Sequence, residues 1–161
     1  MLAPAAGLVI DSRVFEHGLA GGRPDDALAL WRGPLADGLV LDDAAPFGDW
    51  LAQQRESLQR LRQRALEASA QAHEARGDAA AALQRIETLL ADDPLQEQHH
   101  RDAMRLLAAC GQREAALAQY ARCRSVLQQE LGLQPMAETE ALVAALRGGA
   151  AAQPQSQPQP Q

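Results

Sequence analysis

A chain of 161 residues is long enough for one domain with a sizeable core and needs no metal or disulfide staple. Its composition is 47% apolar but only 3% aromatic, which favours helices over sheets, and its two cysteines suit buried thiols in a reducing cytosol. A formal net charge of −6 argues against a chain that grips a phosphate backbone by itself and favours protein partners.

Residues 1–10 are small and apolar and read as the remnant of a linker, with Leu8-Val9-Ile10 too short to build a sheet. Met1-Leu2-Ala3-Pro4 has no basic leader, and no apolar run reaches membrane-spanning length, so the expected location is cytoplasmic. From Asp11 the pattern turns helical. Val14, Phe15 and Leu19 form a short stripe that Gly18 and Gly21-Gly22 should end, and Arg23-Pro24-Asp25-Asp26 opens a helix carrying Ala27, Leu28 and Trp31. Gly33-Pro34 stops that helix, because proline lacks a donor and clashes with the preceding turn. Residues 35–46 hold Leu35, Leu39, Val40 and Leu41, so this connection should lie across the helices rather than in water.

A long helix is predicted from Pro46 or Phe47 to about Arg76, with Trp50, Leu51, Leu58, Leu61, Ala65 and Leu66 on one side. Residues 77–94 carry the clearest signal in the chain. Gly77 permits a turn, Asp78 can cap, Ala79, Ala82, Leu83, Ile86, Leu89 and Leu90 fall on one helical stripe, and Asp92-Asp93-Pro94 ends the run. The pattern Gly-x4-Ala-Leu-x2-bulky recurs from Gly22 and from Gly111, the latter 34 residues beyond Gly77, which is the tetratricopeptide period. The expected fold is therefore all-α, a right-handed, tetratricopeptide-like stack of antiparallel helical hairpins. If Leu83 and Leu117 are core residues, replacing either with alanine should cost roughly 2–5 kcal/mol.

Asp93-Pro94-Leu95-Gln96 reads as a cap, a proline at the first helical position and a capping-box glutamine, opening a helix with His99, Ala103, Met104, Leu106 and Leu107 that Gly111 ends. The helix over 112–131 repeats the pattern with Leu117, Tyr120, Cys123, Leu127 and Leu131 inward and Gly132 as its cap. Beyond Pro135 a last helix, 136–147, has Ala141, Leu142 and Leu146 as its apolar edge. Residues 148–161 form a tail whose end, from Gln153, is only proline, glutamine and serine; it cannot bury a core and reads as disordered.

No catalytic pattern stands up. His99-His100 with Cys110 and Cys123 lacks metal-ligand spacing, the Asp42-Asp43 and Asp92-Asp93 pairs are explained by capping, and there is no phosphate loop or nucleophile elbow. The reading is a non-enzyme with no cofactor, metal or small-molecule ligand. Trp31, Trp50 and Tyr120 are either core residues or lining for the groove that stacked hairpins create.

Leu30-Trp31-Arg32-Gly33-Pro34-Leu35, Trp50 with Gln54-Arg55, Asp93-Pro94-Leu95, Gly111 through Ala116-Leu117, Tyr120 and Arg124, and Glu130-Leu131-Gly132 with Pro135 and Glu138-Thr139 together resemble the bacterial transcriptional activator domain of antibiotic-regulatory activators, over residues 11–147. The resemblance implies a helical-repeat fold in which Trp31, Gly33, Pro34, Trp50, Pro94, Tyr120, Arg124, Gly132 and Pro135 are structural. It also implies that DNA is reached only through a separate winged-helix domain. The function it points to is a regulatory module that contacts an adjacent regulator domain, a second copy of itself or the transcription machinery. The alternative is a helical-repeat scaffold of a multidomain signalling protein, an ATPase or cyclase, outside transcription. First-helix faces usually line the groove of such stacks, which makes Arg55, Arg62, His99 and Arg105 the expected partner contacts; Arg55 can equally pair with an acidic residue inside the domain.

Overall fold

The computed structural model describes residues 15–31 and 45–148. All regular elements among these are helices: α1 over residues 15–20, α2 (Pro24–Ala29), α3 (Ala45–Ala75), α4 (Ala79–Asp92), α5 (Glu97–Ala109), α6 (Arg113–Leu131) and α7 (Ala137–Gly148). The fold is all-α, as the helical period of every stripe requires. The linker at 1–10, Gly33-Pro34, the aliphatic connection and the glutamine-proline tail lie outside the described residues. Two compact units divide between Asp78 and Ala79.

The thrice-repeated motif has one conformation. Gly22, Gly77 and Gly111 have φ of 69°, 78° and 75°, a left-handed geometry that costs other residues about 1 kcal/mol or more. Each follows a helix and closes it in the same way. The N–H groups of Arg23, Asp78 and Gln112 donate to the carbonyls of Gly18, His73 and Leu107, while the glycine N–H groups donate to Leu19, Glu74 and Ala108. Five residues after each glycine stands an alanine with no exposed surface to speak of: Ala27 at 1%, Ala82 and Ala116 at 0%. A methyl side chain there leaves room for a neighbouring helix, and nothing larger fits without displacing it.

In the first unit α2 packs on α3 around Phe15, Ala27, Leu61 and Ala65, with Leu19, Leu28, Leu58 and Trp31 partly covered against them. Phe15 meets Trp31 edge-on, and the Arg62 guanidinium lies 5.3 Å from the centre of the Trp31 ring. Gly18 does not end α1. It sits inside it, where a Cβ would come within 3.2 Å of the Ala27 Cβ, so the glycine serves close approach. Asp25 ties α2 to α3: it accepts a 2.5 Å bond from the buried Ser69 hydroxyl and lies 3.2 Å from His73, whose other ring nitrogen is 3.5 Å from Asp78.

In the second unit α5 touches α4, α6 and α7, and its Met104, Ala103, Leu106 and Leu107 are buried. Met104 and Leu107 join Ala116, Tyr120 and Val143 in one apolar cluster. Several positions differ from the sequence expectation. Leu83 and Leu117 are only half-buried at the cluster's edge, and Ile86, Leu89 and Leu127 take the interior places. Leu131 is 51% exposed because α6, at 19 residues, outruns the 13-residue α5 it packs on. On α7, Ala141 is exposed and the covered face is Thr139 and Val143. That rotation follows from Glu97, which accepts bonds from the Thr139 hydroxyl at 2.5 Å and the Met136 N–H at 2.6 Å and so makes a buried threonine tolerable. Nor does Asp93 cap α5. Its carboxylate accepts the Leu95 N–H at 3.0 Å to form a turn two residues long, and the helix begins only at Glu97, after Gln96.

Candidate functional site

Helix α6 presents two flanks, each beside an open hollow. Gln119, Arg122 and Val126, at spacings of three and four residues, face a hollow of about 490 Å³ completed by Glu87, Leu90 and Ala91 of α4, Pro94 and His100. Leu117, Tyr120, Ala121, Arg124 and Gln128 face a second, of about 470 Å³, bounded on α7 by Arg147. Ser125 borders both. The lower α6 stripe that holds the helix down is Ala116, Tyr120, Cys123 and Leu127, so the helix buries one face and offers the two adjoining ones.

The floor of the first hollow is a polar pair. His100 Nε2 is 2.9 Å from the Pro94 carbonyl, which can only accept, so Nε2 carries the proton; Nδ1 then accepts from the Gln119 amide at 2.7 Å. Burial lowers the His100 pKa below the ordinary 6.5, with the Pro94 carbonyl pulling the other way. A lowered folded value means that the unfolded chain takes up the proton first, so this contribution to stability is complete above about pH 6.5 and is lost as pH falls below it, until the folded value is passed. The His100 ring should accordingly titrate below 6.5 by NMR, and part of the fall in melting temperature on acidification should vanish in His100→Gln.

Cys123 is fully buried, and burial pushes its thiol up to about 11. Thiol reagents should label the exposed Cys110 quickly and reach Cys123 only on unfolding, which mass spectrometry of the labelled peptides would read. Among the described residues no three His, Cys, Asp or Glu side chains are placed to hold a metal ion, and no helix is long and apolar enough to cross a membrane.

Residues 12–147 match the bacterial transcriptional activator domain. The chain belongs to that family. Among solved structures the bacterial transcriptional activator domain described here is similar to Mycobacterium tuberculosis EmbR in complex with a low-affinity phosphopeptide, at 26% identity and a TM-score of 0.59. The match covers 88% of this chain and 38% of that one, so the chain spans well under half of EmbR's length. No curated protein matches it.

The family-motif residues fall in distinct settings. Tyr120 and Pro135 are buried, Trp31 is half-buried beneath Arg62, Gly132 caps α6 with φ 66°, and Pro94 is an exposed turn residue whose carbonyl holds His100. Trp50 is 39% exposed and its neighbour Leu51 buried, so the inward edge of α3 passes through the leucine. Arg124 is exposed, and Gly33 and Pro34 lie outside the described residues. None of the four expected contacts lines either α6 hollow. His99 is 6% exposed, Arg62 stacks on Trp31, Arg105 pairs with Asp102 at 3.1 Å, and Arg55 is half-buried on α3. As partner contacts, His100, Gln119 and Arg122 escaped the sequence reading, which weighed His100 only as a metal ligand. The one signal was Gln119, a polar residue at a stripe position of α6 beside Ala116, Tyr120 and Cys123.

Proposed function

We propose that this bacterial transcriptional activator domain is the non-enzymatic, protein-contacting half of a cytoplasmic regulator, and that the hollow between α4 and α6 takes a segment of an adjacent regulator domain, of a second copy or of the transcription machinery. The observation that carries this reading is the hollow itself: an apolar wall of Leu90, Ala91 and Val126 beside the directional groups of Glu87, His100, Gln119, Arg122 and Ser125. That combination is what a peptide-sized ligand needs, apolar area for affinity and a few fixed polar groups for orientation. EmbR's complex with a phosphopeptide supports protein contact by this chain. DNA contact belongs in this scheme to a separate winged-helix domain, since the acidic balance of the chain opposes a phosphate backbone. Arg122→Glu combined with Val126→Asp in a full-length regulator carrying this domain should abolish activation of a reporter promoter and leave the melting curve unchanged. Arg105→Glu should leave activation intact. Full activation by the double variant would refute the assignment.

A further inference from the structure

We propose that the second hollow, between α6 and α7, binds an acidic peptide segment, with Arg124 and Arg147 holding its carboxylates and Leu117 and Ala121 covering its aliphatic part. This goes beyond the function above, for it concerns a different surface. Seven side chains line that hollow and none is acidic; two are arginines, and Ser125 and Gln128 add polar groups on the same rim. Among the described residues Arg124 and Arg147 make no ion pair, nor do Arg64 on α3 and Arg122 in the first hollow, whereas Arg23, Arg60, Arg101 and Arg105 each lie within reach of a carboxylate.

One carboxylate touches the lining, through Tyr120. Glu140 accepts the Tyr120 hydroxyl at 2.5 Å, and it precedes Arg147 by seven residues on α7, a rise of about 10 Å. Arg147 instead lies with its guanidinium 5.8 Å from the centre of the Tyr120 ring. Its backbone carbonyl accepts a 2.6 Å bond from Arg113, which fixes the end of α7 and brings a third guanidinium to the same edge. Residues 149–161, the sequence that follows, contain no Asp or Glu. In a chain with a net charge of −6, two guanidinium groups that make no ion pair thus stand together at one hollow with an apolar floor. Guanidinium groups grip carboxylates through paired hydrogen bonds, and partial shielding from water strengthens the attraction.

Tyr120 is the single tyrosine of the chain, so its ring protons report on this hollow without ambiguity. The test is an NMR titration of the whole chain with hexaglutamate, with inorganic phosphate at equal ionic strength as a second arm. A saturable shift of the Tyr120 ring is expected, weakening as salt is raised. Arg124→Gln with Arg147→Gln should reduce the apparent affinity at least about tenfold. Arg124→Gln alone, on the exposed face of α6, carries the test if the change at Arg147 disturbs α7. No saturable shift, a shift that survives these variants, or phosphate acting as well as hexaglutamate would each overturn the proposal. Because Arg122 and Val126 lie in the other hollow, loss of hexaglutamate binding and loss of reporter activation are separable results.

Discussion

Met104→Ala should lower the unfolding free energy by about 2–5 kcal/mol, the largest effect of any single apolar truncation in the second unit. Met104 is 0% exposed, and its cluster draws on α5, α6 and α7 at once, through Leu107, Ala116, Tyr120 and Val143. Three elements cannot all relax into one cavity, so the loss combines transfer energy with a void that stays open. Urea unfolding followed by circular dichroism would show the midpoint falling with little change in slope. Met104→Leu, which conserves volume, should cost less than about 1.5 kcal/mol. Leu83→Ala and Leu117→Ala should fall below the Met104 value, since both side chains are only partly covered. A change at Met104 no larger than theirs would contradict the central place given to α5.

Glu97→Ala should cost about 3 kcal/mol, because one carboxylate satisfies two donors and stands beside a cation. Its Oε1 accepts from the Met136 N–H and the Thr139 hydroxyl and lies 3.8 Å from Arg101, which itself donates to Thr139 at 3.0 Å. The Glu97 and Arg101 side chains are only 11% and 19% exposed, so water replaces little of what is lost. Removing the carboxylate leaves a buried threonine with one partner fewer and an arginine without its counter-charge. The expected sign is detachment of α7: amide exchange of Thr139 and Val143 should rise much more than that of Ala82 or Ile86 on α4. Uniform exchange across both helices would mean that Glu97 holds the whole unit rather than the start of α7. Glu97→Gln keeps an acceptor and should recover part of the loss.

How much of this was legible depends on the range of the interaction. The three Gly-x4-Ala motifs could be read because a left-handed glycine and a methyl-sized helix contact are fixed by residues within one turn, and the structure repeats the same bonds at Gly22, Gly77 and Gly111. The family followed from the same local text, and its match to 12–147 agrees with the span marked by the motifs. Asp93 shows where even local reading slips. Asp-Pro suits both a helix cap and a two-residue turn, and the choice went to the Leu95 N–H.

The sequence by itself determined that the chain is helical, where most of its helices start and stop, and that it is a bacterial transcriptional activator domain, since period, turn chemistry and motif order are all properties of neighbouring residues. Only the tertiary structure decided which members of each stripe are covered and where a partner finds a surface. Glu97 reaches Thr139 across 42 residues and Gln119 reaches His100 across 19. No spacing rule links such pairs, because they are set by the rotation of one helix against another. The same rotations bury His99 and open the two hollows along α6, so the polar candidate contacts lie on residues that the apolar stripes alone did not single out.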